Sequence, residues 1–164
     1  MRRAISVVAI TLVAGVSLVL LPRGHEVDAH TDAGTRTAYQ AGILGIVRRD
    51  APRANRLFSG VVYPNRTGPE CAAETQALHR TLQRIVRQIE LLDPPANIAP
   101  LHHQVLINAR KSIEVVGEAS RDARRETLAC GDRMNDRIYG LRSTRRAERA
   151  IRAIEAHGYV VFGE

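Results

Sequence analysis

The fold is decided by residues 71–95, which read CAAETQALHRTLQRIVRQIELLDPP. Apolar or small residues recur here at steps of four and three, the spacing that puts them on one face of an α-helix. They are Cys71, Thr75, Leu78, Leu82, Ile85, Ile89 and Leu92. Thr67 and Glu70 form a capping box before this stretch, and Pro94 and Pro95 end it, because proline lacks the amide donor. The segment predicts a helix of about six turns.

A second long helix is predicted after Pro100, with the same four-three spacing. Its apolar face consists of His102, Leu106, Ala109, Ile113, Val116, Ser120, Ala123, Thr127 and Cys130. Gly131 is suited to the position after the helix end. Two helices joined by a short proline-containing turn predict a long antiparallel hairpin. At about 1.5 Å per residue the second helix is about 10 Å longer than the first, so the loop or a break near Gly117 has to absorb the difference.

The remaining segments predict a smaller set of elements. Residues 132–157 predict a third helix, whose apolar stripe is Met134, Ile138, Leu141, Ala147, Ile151 and Ile154. Residues 37–49 predict a short helix, and residues 57–63 a strand or a packed loop. The apolar residues 159–162 predict a tail that docks on the helices or pairs with Val61 and Val62.

The N-terminal residues predict export. Arg2 and Arg3 precede an uncharged run of 18 residues, 4–21, and Ala29 allows cleavage before His30. Cleavage there lowers the formal net charge from +7 to +6. A retained anchor is an alternative, because 18 residues only just span a hydrocarbon core of about 30 Å. An internal helix is the third possibility.

The composition favours helix-on-helix packing. Aromatic residues make up 4% of the chain, and tryptophan is absent, so the core has to be built from alanine, leucine, isoleucine and valine. We therefore predict an all-α fold, a small up-down helical bundle built on the long hairpin, with an N-terminal signal or anchor helix. The expected division is 1–29 signal or anchor, 30–66 short helix and loop, 67–158 helical bundle and 159–164 tail.

The two cysteines predict a disulfide. Cys71 begins one predicted helix and Cys130 ends the next, and each falls on the apolar face, so an antiparallel hairpin brings them together. Export places the chain where disulfides persist. Two buried free thiols are the alternative.

Positive charge is concentrated in residues 121–152, which contain ten arginines against five acidic residues. Within this stretch Arg142, Arg145, Arg149 and Arg152 step by three and four along one face of the third helix. We call these four the arginine row. A solvated face is one interpretation of the row. An anion-binding face is the other, and export directs it to envelope polymers, anionic lipid headgroups or an acidic protein rather than to nucleic acid.

No catalytic or metal-binding motif is recognisable in the sequence. His102 and His103 are adjacent and so point about 100° apart on a helix, which does not suit chelation of one ion. No zinc, haem or nucleophile motif occurs. The sequence therefore predicts a protein that is not an enzyme and holds neither a metal nor a cofactor. The alternative is a carrier of a small ligand or cofactor, with a pocket between helices near Tyr39 or His102.

The Leu92-Asp93-Pro94-Pro95 helix stop, followed by His102 in the next segment, resembles a pattern in exported bacterial helical proteins of unknown function. The resemblance covers the central hairpin. It implies a helical fold and an extracytoplasmic location, and it implies no activity.

Overall fold

The central hairpin has the predicted architecture. The structure, a computed structural model, describes residues 29–62, 68–125, 130–139 and 141–161. Helix α2 spans Gly68–Glu90 and α3 spans Ala99–Arg124, and the two pack against each other along their length. Three further helices are α1 (Ala29–Val62), α4 (Asp132–Tyr139) and α5 (Arg142–Ala156). The described residues contain no strand, so the all-α prediction is confirmed.

The apolar faces predicted for the hairpin are those that the bundle buries. On α2, Cys71, Thr75, Leu78 and Ile85 are buried, whereas Leu82 and Ile89 are half-buried and bridge neighbouring core clusters. On α3 the predicted face is buried from His102 to Ala123. Thr67 and Thr127 lie outside the described residues.

The mismatch in helix lengths is resolved by the end of α3. This helix ends at Arg124, six residues before Cys130, and Cys130 itself lies next to the start of α2. The predicted placement of Cys130 at the end of the second helix is therefore wrong. No break occurs at Gly117. That glycine instead makes room for a neighbour, because a methyl group at this position would stand 2.9 Å from Nε2 of His79.

Helix α1 is much longer than the short helix predicted for residues 37–49. It includes residues 57–62, so the strand or packed loop expected there is wrong. Its buried face is regular, at Tyr39, Ile43, Ile46, Asp50, Ala54, Phe58 and Val61. Pro52 lies on the exposed side. A proline there removes one backbone hydrogen bond without disturbing the buried face, so the helix continues past it.

A buried carboxylate joins α1 to α2. Asp50 is 3% exposed and receives hydrogen bonds from Nε of Arg49 at 3.1 Å and from Nη2 of Arg84 at 2.6 Å. A buried charge is tolerated only when it is paired and hydrogen-bonded. The two guanidinium groups meet that requirement. The acidic residue at a core position hides the helical periodicity of α1 in the sequence.

The predicted third helix is divided into α4 and α5. Leu141 is extended, with φ −70° and ψ 126°, and it separates the two helices. Glycine at position 140 has a low helix propensity, which favours an interruption at this point of the sequence. Met134 and Ile138 of α4 pack beside Val116 and Ala123 of α3, whereas Ile151 and Ile154 of α5 pack in a separate cluster.

The C-terminal tail docks on the bundle. Tyr159 and Val161 are buried in the same cluster as Tyr39, Ile98 and Ile154. The hydroxyl of Tyr159 donates to Oδ1 of Asn97 at 3.0 Å. Pairing of the tail with residues 61 and 62 is wrong, because those residues belong to α1 and Val61 lies in a different cluster.

The cysteine pair is confirmed. The Sγ atoms of Cys71 and Cys130 are 2.12 Å apart, and the residues are 59 positions apart in the sequence. Next to the pair, the amide of Gly131 donates to the carbonyl of Val61 at 3.1 Å. The start of α2, the end of α1 and the start of α4 therefore meet at one end of the bundle.

None of the described helices is both long enough and apolar enough to cross a membrane. The predicted signal or anchor at residues 1–29 lies outside the described residues except for Ala29, where α1 begins.

Candidate anion-binding groove

The arginine row lies on the solvent side of α5. Arg142, Arg145, Arg149 and Arg152 are all exposed. The buried residues of this helix lie on the other side, at Thr144, Ala147, Ala150, Ile151 and Ile154. The sequence thus predicts correctly which residues of α5 point outward. It does not indicate which other helix lies beside them.

An open groove of about 440 Å³ runs between α3 and α5. We call it the α3–α5 groove. It is lined by Leu101, Gln104, Ile107, Asn108 and Lys111 of α3, and by Arg146, Arg149, Ala150 and Ala153 of α5. Asn108 and Ala150 are buried and form the floor, whereas the three basic side chains are exposed and form the rims. The groove therefore offers positive charge from two helices to a molecule that enters it.

The two helices that form the groove are antiparallel. Near the start of α5, the hydroxyls of Ser143 and Thr144 lie 3.0 and 3.2 Å from the hydroxyl of Ser112. The second half of α5 packs against the first half of α3, since Ile154 and Leu101 share a cluster. At about 1.5 Å per residue, Arg149 is roughly level with Ile107.

This register separates the charges from the apolar residues. Lys111 and Arg146 occupy one end of the groove, nearer the start of α5, and Leu101 and Ala153 occupy the other, with Arg149 near the middle. The distance along α3 from Leu101 to Lys111 is about 15 Å, because ten residues rise about 1.5 Å each. The groove is therefore basic at one end and apolar at the other.

The ion pairs between described residues involve basic side chains other than those of the groove. Arg110, on a neighbouring face of α3, pairs with Glu90 of α2. Arg137 of α4 pairs with Asp122 at 2.5 Å and with Glu118 at 3.7 Å. Within the described ranges, none of the ion pairs includes Lys111, Arg146 or Arg149. These cations therefore remain available to an external anion.

The end of the arginine row lies beside an acid. Burial raises the pKa of Glu155. The positive charge of Arg152 lowers it, because the two side chains are close enough to interact electrostatically. Arg152 is thus partly compensated. Of the four arginines of the row, only Arg149 lines the groove. Arg142, Arg145 and Arg152 extend the basic surface outside it.

Sequence reasoning missed two of the three cations of the groove. Arg146 is adjacent to the row but does not share its spacing, and Lys111 is the chain's only lysine, on a different helix. A signal existed in α3, where Lys111, Gln104 and Leu101 all lie beside the buried face at helical spacing. This spacing identifies the groove only when the register between α3 and α5 is known, and the periodicity of either helix alone does not give that register.

A second, enclosed cavity lies near Tyr39 and His102, where the sequence suggested a pocket. It has a volume of about 30 Å³, and its walls are mostly apolar. Such a volume accommodates about two water molecules. The hydroxyl of Tyr39 lies 3.0 Å from Nδ1 of His102 at its wall. The two rings are edge to face, with their centroids 5.6 Å apart.

The ionisation of this pair follows from its burial. Burial raises the pKa of Tyr39 to about 12, and Tyr159 adds to the effect. Burial also lowers the pKa of His102, with a further contribution from His103. At neutral pH the phenol keeps its proton and the imidazole is uncharged, and the tautomer of His102 sets which of the two groups donates.

Stability should fall on acidification because of His102. Its pKa in the folded state lies below the ordinary value of 6.5, so the unfolded chain binds more protons in the window at and below that pH. The stabilisation is present above pH 6.5 and is lost as the pH falls through the folded-state pKa. We expect the free energy of unfolding, measured with urea, to decrease between about pH 7.5 and about pH 5, and to decrease less in His102→Gln.

His157→Gln is the matched control for this measurement, since His157 is exposed and is not a cause of the His102 shift. The pKa of His79 is also lowered, first by burial and then by Arg121, but that contribution is common to all three proteins. An unchanged pH dependence in His102→Gln would contradict the assignment.

No three histidine, cysteine, aspartate or glutamate side chains of the described residues gather closely enough to hold one metal ion. Comparison of the chain with protein-family models, with curated proteins and with solved structures gives no match. The class that the fold and the groove define is an all-α, disulfide-linked bundle with a basic groove.

Proposed function

We propose that this chain is an exported, non-enzymatic binding module that holds an anionic partner of the cell envelope on the basic surface of α5. The arginine row, Arg142, Arg145, Arg149 and Arg152, forms the outer part of this surface. Lys111 and Arg146 extend it into the α3–α5 groove. The partner is an envelope polymer, a lipid headgroup or an acidic protein, and no nucleic acid is expected in that compartment.

One observation carries the proposal. Lys111 from α3 and Arg146 and Arg149 from α5 converge on one open groove, and no carboxylate of the described residues forms an ion pair with them. An ordinary solvated helix face has its charges interleaved and paired with opposite charges. Cations from two helices on one concave surface focus a positive potential there, which attracts anions.

The residue types suit phosphate and carboxylate. The guanidinium group is planar and binds two oxygens of such an anion at once, whereas the lysine ammonium is a compact charge on a flexible stem. Two arginines and one lysine around one groove thus combine directional contacts with an adaptable one.

Export is supported by sequence and by the cysteines. Residues 4–21 follow Arg2 and Arg3 in the order typical of a secretion signal. A cysteine pair at bonding distance is compatible with an oxidising compartment. The proposal therefore assigns the binding activity to the extracytoplasmic side.

Charge reversal tests the proposal. We expect Arg145→Glu with Arg149→Glu to weaken binding to immobilised polyphosphate and to anionic liposomes by about tenfold or more. The reason is that one hydrogen bond to a charged group contributes about 1.5–3 kcal/mol, and 1.4 kcal/mol corresponds to a factor of ten. Binding should also weaken as salt rises, because exposed charges are screened over about 8–10 Å at physiological ionic strength.

Arg53→Glu with Arg56→Glu is the matched control, since both residues are exposed on α1 and the charge change is the same. Both double variants retain residues 4–21, so any contribution of that segment is common to them. An equal loss of binding in the two double variants would mean that the effect comes from net charge alone, and it would reject a basic site on α5. Absence of binding at low salt would reject the function itself.

The alternative function, a carrier of a small ligand or cofactor, has one observation in its favour. The Tyr39–His102 pair offers a hydrogen-bonding group at the wall of a mostly apolar cavity. Typical ligand pockets have volumes of about 300–1,000 Å³, far above the 30 Å³ of this cavity. A carrier function therefore requires the helices to separate, and an absorption spectrum of the exported protein tests for a bound chromophore.

A further inference from the structure

We propose that the ligand of the α3–α5 groove is a free anionic amphiphile, with a phosphate or carboxylate group at one end and a short alkyl chain at the other. This inference rests on the proposed function, because it requires that the groove bind anions. It adds the chemical class of the ligand and its orientation.

The first argument is the separation of charge along the groove. The hydroxyl contacts of Ser112 place the start of α5 near the middle of α3, and the helices run antiparallel from there. Lys111 and Arg146 are consequently at the basic end, and Leu101 is about 15 Å away at the other. A polymer with charges at regular intervals would meet cations only at the basic end.

The second argument is the nature of the apolar end. Ala153 and Leu101 are half-buried, and Ile107, which is 36% exposed, stands on α3 between Leu101 and Lys111. Large apolar side chains are otherwise well covered in the described residues, apart from Leu91 and Val160. An alkyl chain that lies along these residues removes apolar surface from water on both sides.

The third argument is the polar group on the floor. The side-chain Nδ2 of Asn108 donates to the carbonyl of Gln104 at 2.8 Å, within α3. One of its two N–H donors is therefore already used, and the exposed cations are the charged donors that the groove offers to an anion. The headgroup should accordingly lie at the rim between Lys111 and Arg146, with the chain directed toward Leu101.

The experiment compares four soluble probes by calorimetric titration of the full chain: inorganic phosphate, methyl phosphate, hexyl phosphate and hexanol. We expect hexyl phosphate to bind about tenfold more tightly than methyl phosphate. That factor corresponds to about 1.4 kcal/mol, which is the transfer of roughly two methylene groups out of water. Hexanol should bind much more weakly than hexyl phosphate, because it lacks the charge.

Two variants locate the effect. Ile107→Asn should reduce the ratio between hexyl and methyl phosphate toward one and leave the affinity for methyl phosphate unchanged. Lys111→Gln with Arg146→Gln should weaken both phosphate esters. Arg53→Gln with Arg56→Gln removes the same charge from the exposed side of α1, away from the groove, and is the control, with both esters expected to bind nearly as in the wild type. All proteins retain residues 4–21, so binding there does not differ between them.

The outcomes separate the two proposals. Equal binding of methyl and hexyl phosphate, lost in the Lys111 and Arg146 variant, would overturn the amphiphile and leave anion binding intact. Hexanol binding equal to that of hexyl phosphate would also overturn it. If the protein binds anionic vesicles but binds hexyl phosphate no more tightly than methyl phosphate, the ligand is a headgroup in a bilayer and not a free amphiphile. Absence of binding by every charged probe and by the vesicles would remove both proposals.

Discussion

Removal of the Cys71–Cys130 disulfide should lower the free energy of unfolding by about 4 kcal/mol, within a range of about 2–5 kcal/mol. The pair closes a loop with a sequence separation of 59, and closing such a loop restricts the unfolded chain. The bond also joins the start of α2 to the segment before α4. Urea unfolding of the wild type and of Cys71→Ala with Cys130→Ala measures the difference.

The double alanine variant avoids a leftover free thiol, and comparison of the two urea slopes shows whether the unfolded state has changed in compactness. Titration of the unreduced, denatured wild type should detect no free thiol. Two free thiols, or equal stability of the two proteins, would contradict the structural role of the bond.

Leu78→Ala should destabilise the protein by about 2–5 kcal/mol. Leu78 is 1% exposed and lies in a cluster with Phe58 of α1, Val116 of α3 and Met134 of α4, so truncation leaves a cavity where four helices meet. Surrounding side chains that belong to different helices cannot all move to fill it. Urea or thermal unfolding measures the loss.

Leu91→Ala is the matched control for this substitution. It is the same chemical change at a residue that is 85% exposed, so the expected change is within about 0.5 kcal/mol. A loss at Leu78 no larger than that at Leu91 would mean that the assignment of the buried face of α2 is wrong.

The hairpin was predictable because its signal is local. Four-three spacing from Cys71 to Leu92 and from His102 to Ala123 identifies the buried faces, since a helix repeats every 3.6 residues. The disulfide follows from the same faces. Cys130 lies beyond the end of α3 rather than in it, and it still pairs with Cys71 at the start of α2, as the hairpin predicts.

Helix α1 was not predictable at its full length because two residues mask its pattern. Asp50 occupies a core position that periodicity assigns to an apolar residue, and one of the two partners that make its burial acceptable, Arg84, comes from α2. Pro52 looks like a helix stop, although it falls on the exposed face. Both effects depend on the packing of α1 against α2.

The candidate site was predictable only in part. The arginine row was assigned correctly to the outside of α5, because its spacing is local. The groove depends on which side of α3 faces α5, and that is set by tertiary contacts such as Ser112 with Ser143. Lys111 and Arg146 are therefore recognisable as partners of Arg149 only once the helices are packed.

The most direct test of anion binding in the α3–α5 groove is the location of bound methyl phosphate by backbone amide chemical shifts. The account predicts that the shifts which saturate with added ligand concentrate in residues 104–111 and 146–153, and that they disappear in Lys111→Gln with Arg146→Gln. Saturating shifts centred on the exposed arginines of α1, Arg53 and Arg56, or shifts unaffected by that double variant, would contradict it.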